Sequence, residues 1–79
     1  MSVFDNLSNL IQERNIHYAF IFNDHIYVEV DKGDDDYLVY VSKDFSLSDC
    51  VGAFSKQVYD IPDSEIKEMS IEELKRMVA

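Results

Sequence analysis

One cysteine, one proline, two glycines and no tryptophan occur in 79 residues, and each scarcity closes off a class of protein. A lone Cys50 excludes an intramolecular disulfide, and without a CxxC pair or a His/Cys cluster the chain offers no structural zinc site. Gly33 alone in an acidic stretch cannot make a phosphate-cradling loop, which needs several glycines ahead of a helix. No apolar run approaches the roughly 18 residues of a membrane helix, and Met1 to Asp5 lack the basic start and apolar stretch of a signal peptide. The expectation is a cytoplasmic protein. Basic residues are scarce as well: 7 Lys and Arg face 16 Asp and Glu, a formal net charge of −9. Long-range electrostatics then opposes direct binding to nucleic acid or to an anionic membrane, and a basic protein patch becomes the natural partner.

What is present suffices for a folded core. Hydrophobic residues make up 47% and aromatic residues 13% of the chain, more than a disordered segment carries. The length allows a single domain, residues 1–79, and sets a stability limit: below about 80 residues one core rarely yields more than about 3–5 kcal/mol. With disulfide and zinc excluded, either an efficiently packed core or a homodimer must supply the rest.

Hydrophobic spacing changes period along the chain. Val3, Phe4, Leu7, Leu10 and Ile11 recur at helical intervals behind a Ser2/Asp5 capping signature, predicting a helix over 3–14 with Asn15 as its stop. From Ile16 to Phe22 the pattern alternates, with Ile16, Tyr18, Phe20 and Phe22 on one face and His17, Ala19 and Ile21 on the other. Asn23-Asp24 suits a two-residue hairpin turn into a second strand, where Ile26, Val28 and Val30 oppose Tyr27, Glu29 and Asp31. Residues 32–36 are a loop by composition, and Tyr37 to Val41 make a third strand. Ser46 and Asp49 repeat the capping signature before a stripe of Leu47, Val51, Phe54 and Val58, predicting a second helix that Pro62 ends. Asp63 to Met69 offer a helical turn, and Ser70 with Glu73 caps a last helix carrying Ile71, Leu74, Met77 and Val78.

The predicted fold is therefore α+β: a helix, a three-stranded antiparallel sheet, then two helices in the order αβββαα, with helices on one sheet face. If Ile26, Val28 and Val30 meet the helices, Tyr27, Glu29 and Asp31 face away. The third strand has no polar side, so the outer face is either a partly apolar interaction surface or is covered by loops or the last helix.

Catalytic chemistry finds no foothold. His17 and His25 lie among aromatic neighbours, and Cys50 has no histidine near it in sequence, so no catalytic residue and no cofactor is expected. Five carboxylates, Glu29, Asp31, Asp34, Asp35 and Asp36, fall within eight residues with only Lys32 against them, yet no register matches a calcium loop and no metal site is assigned. Their spacing fits a different role. Glu29 and Asp31, two apart on a strand, form a row roughly 6.6 Å in step that Asp34 to Asp36 extend, as phosphates succeed one another on a nucleic-acid backbone. Tyr27, Tyr37 and Tyr40 would supply rigid anchors beside it. A second acidic set, Asp60, Asp63, Glu65, Glu68, Glu72 and Glu73, is assigned to a solvated face around the last helix.

Size, acidity and element order together resemble the small phage-encoded inhibitors that act as nucleic-acid mimics, including some anti-CRISPR proteins. The likeness is one of layout, and no residue is carried over from it. It implies a non-enzymatic inhibitor, working in the host-cell cytoplasm, that occupies the basic nucleic-acid site of a defence or nucleic-acid-processing protein. The alternative is a small interaction or dimerisation module, such as an immunity protein, antitoxin or regulator, that binds through its apolar sheet face.

Overall fold

The structure, a computed structural model, describes residues 6–13, 15–33, 36–55 and 61–78. A short helix α1 (Leu7–Glu13) leads into four long strands, β1 (Ile16–Phe22), β2 (His25–Gly33), β3 (Asp36–Lys43) and β4 (Ser46–Ser55). A 3-10 turn (Asp63–Glu65), a short strand β5 (Lys67–Met69) and helix α2 (Ile71–Val78) complete the order. All strand pairings are antiparallel, and the described strands form one curled sheet in the order β4-β3-β2-β1-β5.

This corrects the predicted αβββαα layout of one helix, three strands and two helices. The molecule is mostly sheet, resembling a half-barrel with two short helices. The segment expected to be the second helix is the strand β4. Its Leu47/Val51/Phe54 spacing mimics a helical stripe, but Ser46, Ser48, Cys50, Val51 and Gly52 are weak helix formers, and Gly costs about 1 kcal/mol inside a helix. Pairing along β3 satisfies the same backbone groups without that cost. The Ser46 hydroxyl, expected to cap a helix, instead accepts from the Ser48 amide at 3.1 Å in a local turn. The turn that folds β4 back is Asp44-Phe45, both at positive φ (46° and 59°), a conformation that Phe rarely adopts. A hydrogen bond donated by the Phe45 amide to the Asp24 carbonyl, 2.8 Å, ties this turn to the neighbouring hairpin.

Several local expectations hold. Asn23 and Asp24 take positive φ (50° and 65°) in a two-residue turn that pairs Phe22 with His25. The Ser70 hydroxyl caps α2 by accepting from the Glu73 amide at 3.1 Å. The proposed turn after Pro62 shrinks to Asp63–Glu65, and Lys67–Met69 become β5. The predicted cap at Ser2 lies outside the described residues; Asn6 caps α1, its side-chain oxygen accepting from the amides of Ser8 (2.8 Å) and Asn9 (3.4 Å).

The main core lies between the sheet and the helices. Leu7, Leu10 and Ile11 of α1 and Leu74 of α2 pack with Ala19, Ile26, Val28, Val30, Tyr40 and Met69 of the sheet. The expected face of Ile26, Val28 and Val30 is thus the helix face. In β1 the expected alternation breaks at a bulge between Ile16 and Tyr18, which turns Ile16 toward the helix-side core. Ser42 is fully buried as well: the β2–β3 pairing begins at Tyr27↔Val41, and one step beyond it the Ser42 hydroxyl accepts from the Ile26 amide at 2.8 Å.

Candidate functional site

The site lies on the second face of the sheet. β4 and β5 occupy opposite edges of the described sheet, and on the way to β5 residues 61–66 cross over β1 and β2, where Ile61, Asp63 and Ile66 lie against His17, Tyr18, Phe20 and Glu29. Much of the second face is buried. Phe20, Val39 and Val41 are at most 5% exposed there. Aromatic rings dominate the layer: Phe20 stacks on Tyr27 with centroids 4.9 Å apart and planes 3° apart, and Phe22 meets the same Tyr27 edge-on at 6.3 Å. Near β4 the Phe54 ring closes over Gly52, so close that an added Cβ there would lie 2.9 Å from it.

Between β1, β2 and the 61–66 segment a cleft of about 230 Å3 remains. It is lined by three residues that carry rings, His17, Tyr18 and Phe20, by Ile61 and Ile66, and by two acidic residues, Glu29 and Asp63. Glu29 is 3% exposed, an unusual depth for a carboxyl side chain. His17, at the β1 bulge, is held by stacking on Tyr37 at 4.5 Å. Tyr18 donates its hydroxyl to Glu68 Oε1 at 3.1 Å. Its phenol is pushed above the usual range, first by burial, then by that hydrogen bond, and further by the negative fields of Glu68, Asp63 and Glu29. Three carboxyl groups from distant parts of the chain thus act on one ring. A more open hollow of about 420 Å3 shares His17 and Tyr18 and is bounded by Glu68, Ser70, Ile71 and Glu73.

The residues assigned to partner binding from the sequence scatter across this geometry. Glu29 and Asp31 share a face as expected, but only Asp31 is exposed, so they do not form an outward row. The physical reason is the crossing segment, which buries the end of the face where Glu29 lies. Asp36 is half-buried, its carboxyl accepting from the Tyr37 amide at 2.9 Å. Asp34 and Asp35 lie outside the described residues. Tyr27 and Tyr37 are half-buried on the second face, engaged with Phe20 and His17. Tyr40 points the other way, 5% exposed in the helix-side core, and is a packing residue rather than a surface anchor. Cys50 is a half-buried side chain of β4 rather than the first turn of a helix, and its thiol donates to the Gly52 carbonyl at 3.1 Å.

What the sequence reading missed is the pairing of the two acidic sets. Asp63 and Glu68, assigned to a solvated helix face, are brought by the crossing and by β5 to Tyr18, and Glu29 meets them from β2. The only sequence signal was the aromatic run Tyr18-Ala19-Phe20, which has too much apolar area for a solvent face. Among the described residues no group of three or more His, Cys, Asp or Glu is placed to hold a metal ion, and no helix is long and apolar enough to cross a membrane. Comparison with protein-family models, with curated proteins and with solved structures returns no match to this chain.

Proposed function

We propose that this protein is a non-enzymatic binding protein of the cytoplasm, an acidic inhibitor that occupies a basic nucleic-acid site on a partner protein. The observation that carries the reading is the convergence of Glu29, Asp63 and Glu68 on Tyr18 in a chain of net charge −9. Charge of one sign gathered from separate segments steers a basic partner from a distance, and half-buried aromatic rings beside it supply contact area at low entropy cost. The reading does not depend on the element order behind the resemblance to anti-CRISPR proteins, which the fold overturns; charge and size remain in its favour.

The test is capture from the native host on the immobilised protein, followed by competition. The expected partner binds nucleic acid, is displaced by duplex DNA or RNA, and loses affinity steeply as salt rises. A captured partner that holds nucleic acid and this protein at once overturns mimicry.

A second reading has its own support. Val51 and Phe54 are 58% and 44% exposed on β4, an edge strand of the described sheet, and apolar edges invite strand pairing. An interaction or homodimerisation module of this kind is insensitive to salt and fails when Val51 or Phe54 is made charged.

A further inference from the structure

We infer that the cleft between β1, β2 and the 61–66 segment receives a single arginine side chain presented by the partner protein. The inference rests on the proposed function and deepens it, moving the anchor point from the acidic loop at 34–36 to a shaped pocket. Three features of the cleft select that chemistry. Its volume, about 230 Å3, leaves room for a guanidinium and part of its stem. Three of the residues that line it, His17, Tyr18 and Phe20, carry rings, and a planar guanidinium stacks on aromatic rings where a hydrated ammonium or a neutral amide does so less well.

The third feature is charge at depth. Glu29, 3% exposed, and Asp63, exposed at the rim, line the same cleft, and Glu68 stands behind Tyr18 at hydrogen-bond distance. A carboxylate offers about four lone-pair sites, enough to serve a neighbouring group and a two-pronged guanidinium together. Among the described residues that line the cleft there is no Lys or Arg: they are the acids Glu29 and Asp63, the ring residues His17, Tyr18 and Phe20, and the aliphatic Ile61 and Ile66. An anionic ligand would meet repulsion from these acids, whereas arginine suits rings and acids at once.

The test is an NMR titration of the isotope-labelled protein with a blocked arginine, Nα-acetyl-arginine amide, against the lysine and citrulline equivalents. Arginine is expected to move the amides of His17, Tyr18, Phe20, Glu29 and Asp63 saturably, lysine to bind several-fold more weakly, and citrulline, the neutral isostere, to leave them unmoved. Glu29→Gln and, at the exposed rim, Asp63→Asn are each expected to weaken arginine binding, Glu29→Gln by about tenfold or more. If Glu29→Gln unfolds the chain, Asp63→Asn and the citrulline comparison still decide. Shifts spread over exposed carboxylates such as Asp31 and Glu72, or equal response to citrulline, overturn the inference. So does a captured partner that binds the Asp63→Asn and Glu29→Gln variants as tightly as the parent, a result that leaves the wider inhibitor reading intact. Failure to capture a nucleic-acid-binding partner sinks that wider reading while the arginine titration stands on its own.

Discussion

The two faces of the sheet are built from different materials. Toward the helices the sheet shows Ala19, Ile26, Val28, Val30 and Tyr40, closed by Leu7, Leu10 and Leu74, none of them ionisable except the phenol of Tyr40. Away from the helices it shows Phe20, Phe22, Tyr27, Val39 and Val41, with Glu29 buried among them and a cleft left open above. One face is filled by aliphatic side chains that interlock; the other is tiled with rings that leave a gap. A carboxyl group is costly to bury in either place, and among the described residues the buried one, Glu29, lies on the ringed face.

The comparison predicts its own largest effect. Leu74, fully buried, anchors α2 on the sheet, and Leu74→Ala is expected to cost about 2–5 kcal/mol in urea unfolding, a large part of what a domain this small can hold. Asp63→Asn on the cleft rim, at an exposed position, is expected to change stability by no more than about 0.5 kcal/mol. Equal losses in the two variants would mean that the cleft acids hold the fold together, and the division of labour between the faces would collapse.

A smaller effect probes the buried hydroxyl of Ser42. Ser42→Ala strands the buried Ile26 amide at the point where β2 and β3 cease to pair backbone to backbone, and is expected to cost about 1–3 kcal/mol by chemical denaturation. A neutral result would show that water reaches the amide and that this part of the sheet is less closed than its burial implies.

How far the sequence revealed this arrangement depends on how local each signal is. The Asn23-Asp24 turn, the shared face of Ile26, Val28 and Val30 and the Ser70 cap are decided within a few residues, and all three are found in the structure. The bulge that turns Ile16 inward exists only in relation to Val30 and Glu29 on the partner strand, so alternation within β1 could not show it. β4 was misread because Leu47, Val51 and Phe54 fall at helical intervals by chance, while Asp44-Phe45 carries no ordinary turn residue in its second position. The cleft was invisible for the same reason: Tyr18 and Glu68 are 50 residues apart, and the acid concentrated in 29–36 drew attention from the carboxyl groups that the crossing brings to the ring.

The smallest expected effect concerns that ring directly. In the folded protein the Tyr18 phenol holds its proton above the ordinary value of 10.0, through burial first and then through Glu68, Asp63 and Glu29. The folded state therefore binds this proton more tightly than the unfolded chain does. The resulting stability is fully present below about pH 10, where Tyr18 is protonated in both states, and is lost as pH climbs through the folded-state value. Tyr18→Phe removes the ionisation, so its stability should fall less steeply than the parent's above pH 10, a difference read by denaturant titrations across the alkaline range. Glu68→Gln should bring the Tyr18 titration back toward its ordinary value, and Asp63→Asn should do so by less, because Glu68 acts through a direct 3.1 Å hydrogen bond and Asp63 through its field alone. If both changes leave the alkaline titration where it was, the carboxyl groups do not act on the ring, and the second face is only a second core.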